Sequence, residues 1–180
     1  YGYYGKLLPN RPWATLDTLQ PSVPLLMAMP FPGHLSVHKE MAQILDRCDE
    51  LDIPVHLDGA WLPASFDIEF DFNRSCIQSF ATSFSKAVDL GWSRIGVRWS
   101  KTLEDDNIRL FNDSKMIPMA TLGIADYYMD NLHVDYFIDE YKVKYMDVCK
   151  QLRLRPTNII HAAMSINRQE LYGLKNLLTS

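Results

Sequence analysis

Five side chains stand where apolar runs give way to polar residues. The stretch Ser79–Gly96 reads SFATSFSKAVDLGWSRIG: a short apolar run, then Ser83, Phe84, Ser85 and Lys86, with Arg94 eight residues further on. Asp58 ends another short apolar run, IPVHL. A lysine amine can condense with an aldehyde. A carboxylate can hold the proton of a pyridine nitrogen and keep that ring electron-poor. Serine hydroxyls and an arginine fork suit a phosphate dianion. Aldehyde, pyridine and phosphate on one molecule describe pyridoxal 5′-phosphate (PLP). Lys86 taken alone reads equally well as a solvated loop lysine, Asp58 as a helix cap and Arg94 as half of a surface ion pair. The pattern, not any single residue, carries the signal.

Those side chains need strand ends to bring them together. Residues 23–29 (VPLLMAM) form an apolar run between prolines and predict a strand buried on both faces. PFPG (30–33) predicts a loop. From Ser36, a fair N-cap, to Leu51, the apolar residues Met41, Ile44, Leu45, Cys48 and Leu51 recur at helical spacing. IPVHL (53–57) predicts the next strand, so the order is βαβ, right-handed by default. Residues 62–75 are a mixed connection with room for a short helix. CIQSFAT (76–82) and RIGVRW (94–99) predict a third and a fourth strand. In open α/β sheets ligands sit beyond the carboxyl ends of parallel strands, which is where Asp58 and Lys86 fall. Further on, residues 134–153 carry Phe137, Ile138, Tyr141, Tyr145, Val148, Cys149 and Leu152 on one side of a long amphipathic helix. TNIIHAAMSI (157–166) predicts a strand and GLKNLL a short closing helix. The fold class is α/β: a mostly parallel sheet between helices, with a small C-terminal α+β part. Three regions follow, an irregular segment 1–22, a cofactor-holding portion 23–130 and a C-terminal portion 131–180.

DGAW (58–61) followed by SFSKAVDLGWSRIG (83–96) resembles fold-type I PLP-dependent enzymes, and among them class I/II aminotransferases of the aspartate aminotransferase type. That family shows Asp-x-Ala-Tyr at one strand end, then Ser-x-Ser-Lys, seven residues and Arg-x-Gly. The likeness covers about residues 20–100. It implies that Lys86 is the Schiff-base lysine and later the proton carrier. It also implies that Asp58 holds the pyridinium nitrogen and that Ser83, Ser85 and Arg94 bind the phosphate. Trp61 stands where the family has a tyrosine near the ring hydroxyl. The family's Asn-Pro loop is matched here by PFPG, without the asparagine. The family's substrate-carboxylate arginine has no motif here, although Arg168 lies in the corresponding part of the chain. The implied reaction moves an amino group between an amino acid and a 2-oxo acid in a homodimer. A shortened relative without catalysis, acting in binding or assembly, shares the same motifs. So do decarboxylases, lyases and racemases of this fold.

The bulk of the sequence excludes other classes. With 180 residues, 47% hydrophobic and 22% charged, the chain can bury a core. Its net charge of −4, with basic residues scattered, speaks against nucleic acid or an anionic membrane as partner. No apolar stretch reaches membrane-spanning length, and YGYYGKLLPN is not a signal peptide. The chain begins without Met and reads as a segment of something longer. Cys48, Cys76 and Cys149 are too far apart for a zinc site and predict three reduced, buried thiols in a cytoplasmic protein. No metal is expected. His56, two residues before Asp58, shares its side of the strand and reads as a satisfied core histidine. His34 and His38 border the PFPG loop, while His133 and His161 carry no signal. Tyr1, Tyr3, Tyr4 and Trp13 read as ordinary packing.

Overall fold

The computed structural model describes residues 2–11, 13–87, 94–167 and 170–179, with the side chains of Gly2 and Tyr3 left aside. A short helix α1 (Gly2–Leu7) and a 3-10 turn (Leu16–Thr18) precede strand β1 (Leu25–Ala28). Helix α2 (Met41–Glu50) leads to β2 (Val55–Gly59), and a 3-10 turn (Leu62–Ala64) leads on toward β3 (Ile77–Ser83). One turn of helix, α3 (Phe84–Ala87), follows directly, and β4 is Gly96–Ser100. Helices α4 (Asn107–Asp113), α5 (Met119–Asn131) and α6 (Tyr136–Gln151) come next. The chain continues through β5 (Arg155–Pro156), β6 (Ala162–Met164), β7 (Leu171–Gly173) and α7 (Lys175–Leu178).

The sheet order is β1-β2-β3-β4, with β1, β2 and β3 parallel and β4 antiparallel to β3. It is therefore a mixed, mostly parallel α/β sheet. Three strands deliver their carboxyl ends to one rim, and β4 starts from that same rim. A second sheet, β5-β6-β7, is antiparallel.

Burial alternates along β2: Val55, Leu57 and Gly59 are buried, His56 and Asp58 half-buried. The buried face packs on α2 through Met41, Leu45 and Cys48, together with Met29, Ile53, Cys76 and Ile77. Leu45 and Leu57, each about 2% exposed, contribute on the order of 2 kcal/mol apiece by leaving water. The other face carries His56, whose Nδ1 lies 2.7 Å from Ser79 Oγ, so this histidine is satisfied across the strands and does not touch Asp58.

Two expectations shift. β1 lies at the sheet edge and leaves Leu26 44% exposed, so it is not buried on both faces. Its apolar run reflects packing on one face and an uncovered edge on the other. Helix α2 begins at Met41 rather than after Ser36, because Phe31 and Ser36 close a small bridge around a tight turn, in which the Leu35 amide donates to the Phe31 carbonyl at 2.8 Å, and Ser36 is thereby held out of helical backbone. Residues 157–161, expected to be strand, form a turn between β5 and β6. The start of the chain is not wholly irregular either, since it holds α1.

Asp49 ties the end of α2 to the segment that leads into β3. Its Oδ1 accepts from Ser75 Oγ at 2.5 Å and from the Cys76 amide at 2.7 Å, and its Oδ2 from Arg74 Nη2 at 2.8 Å. Partial burial pushes the Asp49 carboxyl up, but these bonds outweigh it and hold the group well below the usual carboxylate range. The neighbouring Cys76 thiol is pushed up to about 12, first by burial and then by Asp49. All three cysteines are free and buried.

Helix α6 is fastened to the second sheet by Tyr145. Its hydroxyl donates to the Ala162 carbonyl at 2.8 Å and accepts the Thr157 amide at 2.7 Å. Burial, the largest influence, raises this phenol to about 12, so it stays a neutral donor. Around it pack Ala64, Cys149, Ile160, Ala163, Leu174 and Leu178.

A carboxylate held below its unfolded value contributes stability above about pH 4 and loses it as pH falls. Asp49→Asn is therefore expected to lower stability by about 1–3 kcal/mol at pH 7. The difference from the parent chain should shrink toward zero in acid. Urea denaturation from pH 7 down to pH 3 measures both.

Candidate functional site

Asp58 is the next-to-last residue of β2, and in the parallel registers it sits between Ala28 of β1 and Ala81 of β3. Gly59 follows it because a Cβ there would run into the Phe80 ring and the Ala81 carbonyl. The chain then turns, and the Ala60 amide donates back to Asp58 Oδ1 at 2.9 Å. The other carboxylate oxygen, Oδ2, accepts from the Tyr4 phenol, 54 residues away in sequence. Helix α1 thus reaches the rim and closes on Asp58.

Lys86 lies in α3, immediately after β3. Its Nζ stands 4.6 Å from the centre of the Trp61 ring. Trp61 precedes the 3-10 turn after β2, so this contact joins two successive strand ends. An ammonium over an indole face gains on the order of 0.5–1 kcal/mol at a partly exposed site. Lys86 makes no ion pair among the described residues. On the same indole lies His161, with ring centroids 5.2 Å apart and planes 31° apart. That histidine comes from the turn before β6, so the C-terminal part also reaches the rim.

Ser83 ends β3, and its Oγ accepts the Ser85 amide at 3.2 Å. Ser85 Oγ is enclosed and has no hydrogen-bond partner among the described residues. A buried hydroxyl without a partner costs free energy, so it marks a place where an acceptor belongs. Arg94 is exposed just before β4. The carbonyl of Ile95, its neighbour, accepts the Phe84 amide at 3.2 Å, which brings this turn alongside α3. Gly96 is required there, because any Cβ would strike the Thr82 carbonyl of the adjacent strand. The Arg-x-Gly spacing therefore has a steric basis: the glycine lets β4 lie close beside β3 where Arg94 enters.

The arrangement brings Lys86, Trp61, Ser83 and Ser85 to one rim and sets Asp58 on the adjacent strand end. Asp58 is engaged by Tyr4 and Ala60 and forms no ion pair with Lys86 among the described residues. His38 accepts the Glu40 amide at 3.2 Å, and His34 lines a separate cavity with Arg155. Arg168 and Tyr1 lie outside the described residues. Tyr4 and His161 are the two residues that sequence reasoning passed over. No periodicity links Tyr4 to Asp58, and only the pairing of the C-terminal segment with the turn after β2 brings His161 close. Among the described residues no cluster of side chains suits a metal ion, and no helix is long and apolar enough to cross a membrane.

No protein-family model matches the chain, and no curated protein does. Ten chains of solved structures match. One is the crystal structure of Bna3p from Saccharomyces cerevisiae, provisionally assigned there as a kynurenine aminotransferase, with a TM-score of 0.56 at 12% identity. The fold is aminotransferase-like. The match covers 82% of this chain and 40% of the yeast one, so the matched part spans two-fifths of that structure. At this identity the likeness is one of fold.

Tyr4→Phe is expected to cost about 1 kcal/mol of stability. Combined with Asp58→Asn, it should show a coupling of about 0.5–1.5 kcal/mol in a double-mutant cycle. Denaturant unfolding of the four proteins measures it, and strictly additive losses would show that the phenol packs there without acting on the carboxylate.

Proposed function

We propose that this chain is the cofactor-holding part of a PLP-dependent, aminotransferase-like protein that moves an amino group between an amino acid and a 2-oxo acid. What supports the reading most is the placement of Asp58 near the carboxyl end of β2 and of Lys86 just after the adjacent parallel β3, with the unpartnered Ser85 hydroxyl beside the lysine. The aminotransferase-like fold agrees with it. The donor set suits the cofactor. Ser83, Ser85 and Arg94 would hold its phosphate, Asp58 the proton of its ring nitrogen, and Lys86 its aldehyde carbon. PLP, when bound, supplies an electron sink for charge developing at a substrate α-carbon.

The protein's own residues do the rest. Asp58 keeps a proton at the pyridine nitrogen. Lys86, on a single turn of helix, can take a proton from one carbon and return it to another. Trp61 holds the lysine amine at the rim and shields one side of it from water. A homodimer belongs to this reading: α5 buries only Ala125 and leaves Met119, Ile124, Tyr127 and Met129 exposed, apolar area that a second copy would cover. The three free thiols suit a reducing compartment such as the cytoplasm.

A second reading has its own support. Both oxygens of Asp58 already accept a hydrogen bond, from Tyr4 and from Ala60. The loop after β1, PFPG (30–33), also lacks the asparagine of the resembling family's Asn-Pro loop. A relative that kept the sheet for binding or assembly and lost the chemistry would have these features.

Titration with PLP separates the two. Under the first reading the chain gains the visible absorption of bound PLP, borohydride fixes the cofactor on Lys86, and Lys86→Ala abolishes the adduct. Ser85→Ala should weaken PLP binding about fivefold, the loss of one hydrogen bond of roughly 1 kcal/mol. A folded chain that gains no absorption, or whose adducts scatter over surface lysines, would favour the binding protein.

A further inference from the structure

A cavity not lined by Lys86 lies between the loop after β1 and the start of the second sheet. It measures about 330 Å³, and its polar lining comes from His34, Ser36, Lys39, Arg155, Thr157 and Asn158. Three of these six can carry positive charge, and no carboxylate lines the cavity. That is unexpected in a chain with 22 acidic residues against 18 lysines and arginines.

The cations arrive from segments more than a hundred residues apart, and the backbone locks those segments together. The Asn158 amide donates to the Leu35 carbonyl at 3.0 Å. The Asn158 side chain is braced by bonds to the Phe66 carbonyl at 3.0 Å and the Asp67 carbonyl at 3.2 Å. Leu35 and Ile159, behind these walls, are buried at 3% and 0% exposure. Arg155 has no ion pair among the described residues. Lys39 has only a solvent-exposed one, with Glu40 at 3.4 Å, which competes little with a stronger anion.

We infer that this cavity binds a compact phosphate dianion, either inorganic phosphate or the phosphate of a small phosphomonoester, with Arg155 as its main contact. An arginine fork makes paired, charge-assisted bonds to phosphate oxygens. Lys39 and His34 add charge, and Ser36 lies on the same wall. The inference goes beyond the proposed function: it concerns residues outside the Lys86 rim and needs no PLP.

Isothermal calorimetry at constant ionic strength tests it, with inorganic phosphate and glycerol 3-phosphate as the two probes. The Ser85→Ala/Arg94→Gln double variant serves as background, so that the rim serines and arginine cannot supply the signal. Saturable binding is expected to survive in that background. It should weaken about tenfold in Arg155→Gln and less in Lys39→Gln, and stay unchanged in Lys150→Gln on α6. A preference for one probe identifies the source of the phosphate. No saturable heat, binding that Arg155→Gln and Lys39→Gln leave intact, or binding lost with Ser85 and Arg94 would each overturn the inference. Should Arg155→Gln fail to fold by circular dichroism, Lys39→Gln and His34→Gln carry the same comparison. The outcome does not depend on whether Lys86 takes PLP.

Discussion

Parallel pairing of β2 with both of its neighbours is the constraint on which the rest depends. Antiparallel neighbours would have sent successive strand ends to opposite edges. Parallel ones bring the ends of β1, β2 and β3 to one rim, with Asp58 near the end of β2 and Lys86 just after the adjacent β3. The antiparallel β4 completes the arrangement, since it starts where β3 stops and carries Arg94 in at its entrance. The close approach of Gly96 to Thr82 is the steric condition for that return. The chemistry proposed for the rim follows from this geometry, and few individual contacts are needed to define it.

The rim is also where the chain is least saturated. On the α2 side of the sheet, Asp49 satisfies donors from three residues and the apolar side chains interlock. At the rim, Ser85 keeps a hydroxyl without a partner, Lys86 rests on an aromatic face with no counter-ion among the described residues, and Arg94 is exposed. Several polar groups left open in one place concentrate binding capacity there. Asp58 is the exception. Its two hydrogen bonds make it the best-held group of the set, and they make Tyr4 the residue on which the two functional readings divide.

Much of this was legible in the residues. The βαβ order, the four strand positions and the long helix around Tyr145 follow from apolar runs and helical periodicity, and the strands fall within about two residues of expectation. Asp58, Ser83, Ser85, Lys86 and Arg94 stand out because their types change abruptly at strand ends. What stayed illegible shares one physical character, dependence on contacts far apart in sequence. Tyr4 meets Asp58 only because α1 comes back to the end of β2. His161 meets Trp61 only because the turn before β6 pairs with the connection after β2. The edge position of β1 depends on what lies beside it, and no property of VPLLMAM reports that. The cavity around Arg155 joins two segments whose compositions give no hint of each other.

The pairing of the C-terminal segment with the β2–β3 connection carries a temporal consequence. The Phe66 amide bonds the Asn158 carbonyl at 2.9 Å, the Ile160 amide bonds the Ala64 carbonyl at 2.9 Å, and Ser65 bridges Ile159. Each of these spans more than ninety residues. Closing so long a loop is entropically costly and slow compared with forming a βαβ unit. During synthesis, the strands that bear Asp58 and Lys86 emerge and can pair well before residues 158–161 exist. In that interval Trp61 lacks His161 and one side of the rim stands open to solvent. The polar strand ends thus rest on local pairing alone, whereas their enclosure on one side rests on contacts with residues 158–161.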